Sequence, residues 1–141
     1  MSDNQITLTI DDASPELKQV IEFDEVPEGM HDMLVSIHHA SMASVQQAWD
    51  QLPKSAQNVV DNFEQFHALV TVGQGFAGVQ LLEEFDSMPQ TQNLSDEQKE
   101  ASRASMLNDV LERCVKDMVK QVKKARRDPI LKSEFVEVFK R

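Results

Sequence analysis

Three glycines in the middle of the chain have the spacing of a nucleotide-binding turn. Gly73, Gly75 and Gly78 follow an apolar run and precede a helical pattern, which reproduces the G-x-G-x-x-G motif of dinucleotide-binding sites. Such a turn belongs to a parallel sheet, and an acidic residue that ends a second strand follows roughly 20 residues later. Here that position falls in a loop rich in Pro and Gln, so we predict no cofactor.

Helix packing explains the glycines better. Apolar residues keep a helical rhythm on both sides of them: Phe63, Phe66, Val70, Val79 and Leu82. Because glycine lacks a Cβ, either one long helix crosses a neighbour closely here or two helices meet at a kink. We therefore predict that Gly73, Gly75 and Gly78 form a contact point, a hinge or a partner groove.

Two Glu-x-x-His pairs have the spacing used in di-iron helical bundles. Glu28 precedes His31 and Glu64 precedes His67 by three residues, so each pair can project from one helix face. Against a metal site, Glu28 stands at the very start of its helix, and the two pairs fall on consecutive helices. We expect histidines at the edge of the core or in solvent, and keep a metal-binding bundle as the second alternative. His31 and His38, seven residues apart, share one helix face.

The single cysteine has one neighbour that favours a reactive thiolate and one that opposes it. Arg113 precedes Cys114, but Asp117 lies one helical turn further on and raises the thiol pKa. Cys114 also continues an apolar stripe, so we expect a buried small hydrophobe. The chain contains no G-x-S-x-G motif and no phosphate loop with Lys. We predict no catalysis and identify no small-molecule substrate.

The most basic stretch of the chain lies in the second half of the last long helical pattern. Its bases are Arg113, Lys116, Lys120, Lys123, Lys124, Arg126 and Arg127, against the single acid Asp117. They could contact nucleic acid phosphates, but no aromatic residues interleave them to stack on bases. They could instead complement the helix dipole or face the acidic N-terminal region, within the chain or across a dimer. We favour the second interpretation and keep a separate acidic protein and nucleic acid as other partners.

Composition indicates one acidic globular domain. The 141 residues are 40% apolar and 27% charged, with a net charge of −10. Residues 1–53 carry a net −9, residues 54–100 a net −6, and residues 101–141 a net +5. This excess of acid disfavours general binding to nucleic acid or anionic membranes. With no secretory signal and no apolar membrane span in the sequence, we expect a cytoplasmic protein.

One strand is predicted at the N-terminus. Ile6, Leu8 and Ile10 alternate with threonines over residues 5–10, which is typical of a strand with one apolar face. A single strand cannot satisfy its own backbone, so it needs a partner. Residues 19–26 could pair with it as a hairpin, although a helix there is favoured. The same strand of a second copy could also pair with it.

Helical patterns, separated by residues that begin or end helices, account for the rest of the chain. Ser14-Pro15-Glu16 is a good helix start, and a long helix is predicted over residues 28–51. Ser55 is expected to cap the next helix. Ser95 and Gln98 match a capping box after the loop at residues 86–94, and Asp128-Pro129 begins a short last helix. These signals separate the helices.

The helix predicted over residues 95–127 raises a packing problem. Its apolar stripe is broader than a coiled-coil seam, which indicates contact with more than one helix. Its length would be nearly 50 Å, against a domain diameter of roughly 30 Å. Either this helix breaks, or part of it projects, or a second subunit covers the excess.

These observations predict a mainly α domain over residues 1–141. We expect a bundle of four to five helices, with a strand-containing arm over residues 1–13 and a short helix over residues 128–141. The favoured function is a non-enzymatic cytosolic interaction or assembly protein that forms a homodimer through helix-face packing and edge-strand pairing. The first alternative is a nucleic-acid-associated factor that uses the basic helix around residues 113–127.

Overall fold

The protein is built from α-helices joined by short turns. The computed structural model describes residues 9–140, and every regular element in this part of the chain is helical. The α-helices are α1 (Pro15–Phe23), α2 (His31–Ala40), α3 (Met42–Asp50), α4 (Lys54–Gln57), α5 (Phe63–Ser87), α6 (Asp96–Ala125) and α7 (Pro129–Val138). Short 3-10 helices at Ile10–Asp12, Glu28–Met30 and Pro89–Asn93 connect them. The mainly α fold is confirmed, but seven α-helices in the described residues exceed the four to five predicted.

Helix α5 lies at the centre of this arrangement. Helices α1, α2, α3 and α6 all contact it. One apolar cluster joins α1 and α2 to Ala68 and Val72 of α5. A second cluster joins α3 and α4 to Phe66 and Val70, and Val122 of α6 completes it. The chain thus buries its core around a single helix.

Side-chain caps define where several helices begin. The Ser14 hydroxyl accepts a hydrogen bond from the backbone N–H of Leu17 at 3.2 Å, and Asp128 accepts one from Ile130 at 3.0 Å. Ser95 and Gln98 form the reciprocal capping box, with distances of 3.1 and 3.0 Å. The predicted starts at Ser14, Ser95 and Asp128 are confirmed.

The long helix predicted over residues 28–51 is wrong in its continuity. A 3-10 turn comes first, and Ser41 then separates α2 from α3. The Ser41 hydroxyl donates to the carbonyl of His38 at 3.4 Å, and such a bond to a preceding turn bends helices. The backbone N–H of Ser41 still donates to Ile37, so the chain bends here without unwinding.

Ser55 does not cap the next long helix, because α5 begins only at Phe63. Ser55 lies inside the four-residue helix α4, which Pro53 precedes. Asp61 then adopts a left-handed backbone conformation with a φ of 60°, and Asn62 caps α5 by accepting from Gln65 at 3.0 Å. The chain therefore turns at Asp61, between α4 and α5, and the Asn62 cap marks the start of α5.

The predicted N-terminal strand lies mostly outside the described residues. Ile6 and Leu8 belong to that part of the chain, so the structure does not bear on them. Ile10 is described, and it begins a 3-10 helix instead of ending a strand. Thr9 and Asp12 form a capping box around this turn, with the Thr9 backbone N–H donating to the Asp12 carboxylate at 2.9 Å. The prediction is therefore wrong at Ile10.

The glycines lie inside one continuous helix. α5 runs through Gly73, Gly75 and Gly78 without interruption, so they form neither a nucleotide-binding turn nor a kink. A Cβ at Gly75 would lie 2.1 Å from Leu34 Cδ2, and one at Gly78 would lie 3.1 Å from Leu107 Cδ2. These two glycines permit close crossings with α2 and α6.

No helix within residues 9–140 combines the length and the apolar character needed to cross a membrane.

Substitution of Gly75 tests the close crossing with α2. Leu34 is fully buried, so it has no free space into which its methyl group can move away from an added Cβ. We expect Gly75→Ala to lower the free energy of unfolding by about 1–3 kcal/mol, despite the better helix propensity of Ala. Gly73→Ala is the matched control, because its nearest neighbour would be Cys114 Sγ at 4.0 Å. Urea unfolding followed by circular dichroism compares them, and equal stability of the two variants would contradict the crossing.

Candidate functional site

Helix α6 is covered on only part of its apolar surface. Of its 30 residues, Val110, Val122 and Ala125 are buried, whereas the other large apolar residues are half-buried. These half-buried residues are Met106, Leu107, Leu111, Val115, Met118 and Val119. At 1.5 Å per residue α6 is about 45 Å long, so the remaining helices cover it incompletely.

A groove follows one side of this helix, between α3 and α6. Its apolar lining consists of Ala48, Leu52, Leu111, Val115 and Val119, and it encloses about 610 Å³. We call it the α3/α6 groove. A concave apolar surface of this kind is typical of a site that receives another polypeptide or a ligand.

The two rims of the α3/α6 groove differ in charge. On the α3 side the exposed lining residues are neutral: Ser44, Gln47 and Gln51. On the α6 side they are Asn108 and the charged residues Glu112, Lys116, Lys120 and Lys123, so this rim carries both signs. Among residues 9–140 the structure shows one ion pair, between Arg103 and Asp86. The charged side chains of the rim form no ion pair there, so they are available to a partner.

The structure distributes the predicted basic residues over several surfaces. Lys124 lines a second groove with Phe135 of α7, on another side of α6. The Arg126 guanidinium donates to the Ser55 hydroxyl at 2.9 Å and so ties the end of α6 to α4. Arg127 lines a small depression together with Lys123 and Lys124. The bases therefore border several surfaces, and Lys123 is common to the α3/α6 groove and the small depression.

Four polar side chains meet in the interior where α2, α3 and α5 come together. His38 and His67 stack with their ring centroids 3.6 Å apart and their planes at 15°. Thr71 Oγ1 donates to the carbonyl of His67 at 2.8 Å, so it accepts from His38 Nδ1, also at 2.8 Å. Ser41 Oγ lies 2.9 Å from His67 Nε2. We call these four residues the histidine cluster.

Burial keeps both histidines neutral. Desolvation lowers the pKa of His38 to about 4, with a further contribution from nearby His39. Desolvation and the charge of His38 lower the pKa of His67 to about 3, although a hydrogen bond to the His38 backbone opposes this shift. Two stacked imidazolium rings would repel each other, so the cluster requires the neutral forms.

The Glu-x-x-His pairs do not converge on a metal site. Glu64 is exposed while His67 is buried in the histidine cluster, and Glu28 is exposed at the start of its turn. His31 Nε2 lies 3.2 Å from the carbonyl oxygen of Val26. Within residues 9–140 no group of three or more His, Cys, Asp or Glu side chains could hold a metal ion.

Cys114 packs into the core next to α5. It joins the apolar cluster that contains Val122, and its Sγ lies near Gly73. Burial and the carboxylate of Asp117 raise the pKa of the thiol, while Arg113 partly opposes them. The thiol is thus held in its neutral form.

The sequence predicted some of these residues as functional, but it did not predict which of them lie together. Lys116, Lys120 and Lys123 come together on the groove rim, whereas Ile10 packs against the cluster of α1 and α2. The stack of His38 on His67 was not predicted. The available signal was a polar residue one turn after each histidine, Ser41 and Thr71, within otherwise apolar stripes.

Comparison with known proteins yields a family without a known activity. The model of a family described as protein of unknown function, DUF3069, matches residues 20–139. This range includes the α3/α6 groove and the histidine cluster. No curated protein and no solved structure matches the chain.

The histidine cluster makes stability depend on pH. Because the folded pKa values lie below the ordinary value near 6.5, the unfolded chain takes up protons first as the pH falls. The contribution of the two neutral histidines to the free energy of unfolding is complete above pH 6.5. It is lost as the pH falls toward pH 4, at up to about 1.4 kcal/mol per pH unit for each histidine. We expect this slope in urea unfolding measured from pH 7.5 to pH 5.

His67→Gln separates the cluster from the other titrating groups. The variant has one buried histidine fewer, so its stability should depend on pH less steeply by about one proton. His39→Gln is the control for loss of an exposed histidine. It removes only a secondary cause of the lowered pKa values, so most of the slope should remain. Equal slopes for wild type and His67→Gln would show that burial does not hold His67 neutral.

Proposed function

This chain belongs to the DUF3069 family, and we propose that it is a non-catalytic cytosolic interaction protein that assembles into a homodimer through α6 and the α3/α6 groove. The match over residues 20–139 covers most of the chain and includes the proposed interface. The interface is built from helix faces. Pairing of N-terminal strands is not part of the proposal, because Ile10 is helical.

The observation that carries the proposal is the half-covered apolar face of α6. Leu111, Val115 and Val119 line an open groove with Leu52 and Ala48 at its other side. Isolated apolar side chains on a surface are ordinary, but a contiguous concave patch of them with a polar rim is typical of a protein interface. Burial of this patch against another helix would remove it from water.

A second copy of the chain suits this surface because the rim carries both signs. Glu112 and Lys116 lie one helical turn apart on the same side of α6, and both are exposed. A surface that offers acids and bases side by side can complement itself in a two-fold dimer. A purely basic rim would instead favour an acidic partner of a different kind.

The interior polar groups support a non-catalytic function. Ser41 Oγ and His67 Nε2 have the separation of a nucleophile and its base, at 2.9 Å. However, Ser41 is 2% exposed and His67 1% exposed, so no substrate reaches them. The cluster acts as a structural connection between α5 and the bend that separates α2 from α3.

Nucleic acid binding is a second candidate because three bases surround one depression at the end of α6. Lys123, Lys124 and Arg127 line it together with Asp128. These bases could contact phosphates, and such binding weakens steeply as salt rises. A gel shift with short duplex DNA at low salt, lost at higher salt, would favour this candidate. Absence of a shift at low salt would remove it.

A charged residue in the groove tests the proposed dimer. We expect the wild-type chain to have the mass of a dimer in light scattering at micromolar concentration. Val115→Glu should give a monomer, because it buries an uncompensated carboxylate in the interface. Val115 is half-buried in the described chain, so the fold should tolerate the change, and circular dichroism verifies this.

Ile130→Glu is the matched control, since Ile130 is 71% exposed on α7, away from the groove. It makes the same type of change and should leave the dimer intact. A wild-type monomer throughout the concentration range, or a Val115→Glu dimer as stable as the wild type, would refute the proposal.

A further inference from the structure

We infer that the two copies pack their α6 helices antiparallel, about a two-fold axis that passes near residues 114 and 115. This inference rests on the proposed homodimer and specifies its geometry. It follows from the order of charged and apolar residues along the side of α6 that borders the α3/α6 groove.

The charges on this side of α6 form a self-complementary pattern. In chain order they are Asp109, Glu112, Lys116, Lys120 and Lys123, and the first four are two acids followed by two bases. All five are exposed, and the last four line the groove. Their spacings of three and four residues place them along one side of the helix.

An antiparallel pair brings every acid of this pattern opposite a base. The midpoint between positions 112 and 116 is residue 114, and the midpoint between positions 109 and 120 lies between residues 114 and 115. A single two-fold axis therefore places Glu112 opposite Lys116 of the other copy and Asp109 opposite Lys120. The dimer would contain four such ion pairs. A parallel pair would instead set this side of α6 against the opposite side of the other helix, so these acids and bases would not meet.

The apolar lining obeys the same symmetry. Leu111 and Val119 stand four residues on either side of Val115. In the antiparallel pair Leu111 meets Val119 of the other copy, and Val115 meets its own counterpart. The charged and apolar patterns thus agree on an axis within about one residue, which corresponds to about 1.5 Å along the helix.

Helix α3 would form the outer wall on each side. Its exposed lining residues Ser44, Gln47 and Gln51 are neutral, so they repel neither half of the incoming α6. Two α3 helices then flank the α6 pair as a four-helix layer. The ion pairs set the orientation of the helices, and the apolar contacts supply most of the affinity.

Charge exchange between two variants tests the orientation. The double variant Asp109→Lys with Glu112→Lys has a base at all four paired positions of α6. The double variant Lys116→Glu with Lys120→Glu has an acid at all four. Each alone should dimerise at least about tenfold more weakly than wild type, because all four pairs become repulsive. An equimolar mixture should form a heterodimer with nearly wild-type affinity, measured by sedimentation of one fluorescently labelled variant.

The control changes the same number of charges elsewhere. Glu134→Lys with Glu137→Lys alters two exposed acids of α7 and should leave self-association at the wild-type level. Circular dichroism establishes that each variant retains its helices. Recovery in the mixture also shows that both partners fold, because misfolded chains would not regain affinity.

Disulfide crosslinking distinguishes antiparallel from parallel packing. In a Cys114→Ser background, Ser105→Cys and Lys123→Cys introduce exposed thiols whose midpoint is residue 114. Antiparallel packing predicts crosslinks in the mixture of the two variants and none in either variant alone. Their like positions would lie about 26–28 Å apart along the axis at 1.5 Å per residue.

The results separate this inference from the proposed dimer. A dimer that is insensitive to charge exchange, or that crosslinks through Lys123→Cys alone, overturns the antiparallel geometry while self-association stands. A wild-type chain that stays monomeric removes both. Heterodimer recovery together with crosslinks only in the mixture establishes the inference.

Discussion

Helix α5 has neighbours on almost every side, and this constraint determines much of the rest of the structure. Its first half is buried nearly all around, so most of its positions are small, apolar or internally paired. Gln74 is the exception among the described residues, because its buried Oε1 has no hydrogen-bond partner. Gly75 and Gly78 let α2 and α6 approach closely. His67 and Thr71 satisfy their polar atoms within the histidine cluster. The same bonds hold Ser41 at the bend before α3, which forms one wall of the groove.

The opposite situation holds for α6, which its neighbours cover only in part. α5 covers one side, whereas α3, α4 and α7 contact it less extensively, so several of its apolar side chains are left half-buried. An apolar surface of this kind gains stability when another helix covers it and removes it from water. We propose that this surface, which folding leaves open, is the site of assembly.

Local chemistry predicted more of this protein than long-range packing did. The caps at Ser14, Ser95 and Asp128 were identifiable because capping involves residues at most three positions apart. The bend at Ser41 was not, because its side chain interacts with His67, 26 residues away. The strand predicted through Ile10 illustrates another limit, since a capping box formed by Thr9 and Asp12 outweighs the alternating pattern there.

At the candidate site too, local pattern was predictable from the sequence and long-range packing was not. Its components were named from the sequence, because the apolar stripe and the lysines of α6 follow helical periodicity. Periodicity does not reveal which part of a stripe the other helices leave open, because that depends on where α3 and α5 lie. The stacking of His38 on His67 joins residues from two helices and likewise needs the tertiary structure.

Contacts between the copies in solution provide the most direct test of the central claim, that a second chain completes α6. An isotope-filtered NOE spectrum can be recorded on an equimolar mixture of methyl-labelled and unlabelled wild-type protein. We predict cross-peaks from the methyl groups of Leu111, Val115 and Val119 to protons of the unlabelled copy. Absence of these cross-peaks at millimolar concentration, or intermolecular cross-peaks confined to surfaces other than α6 and α3, would contradict the account.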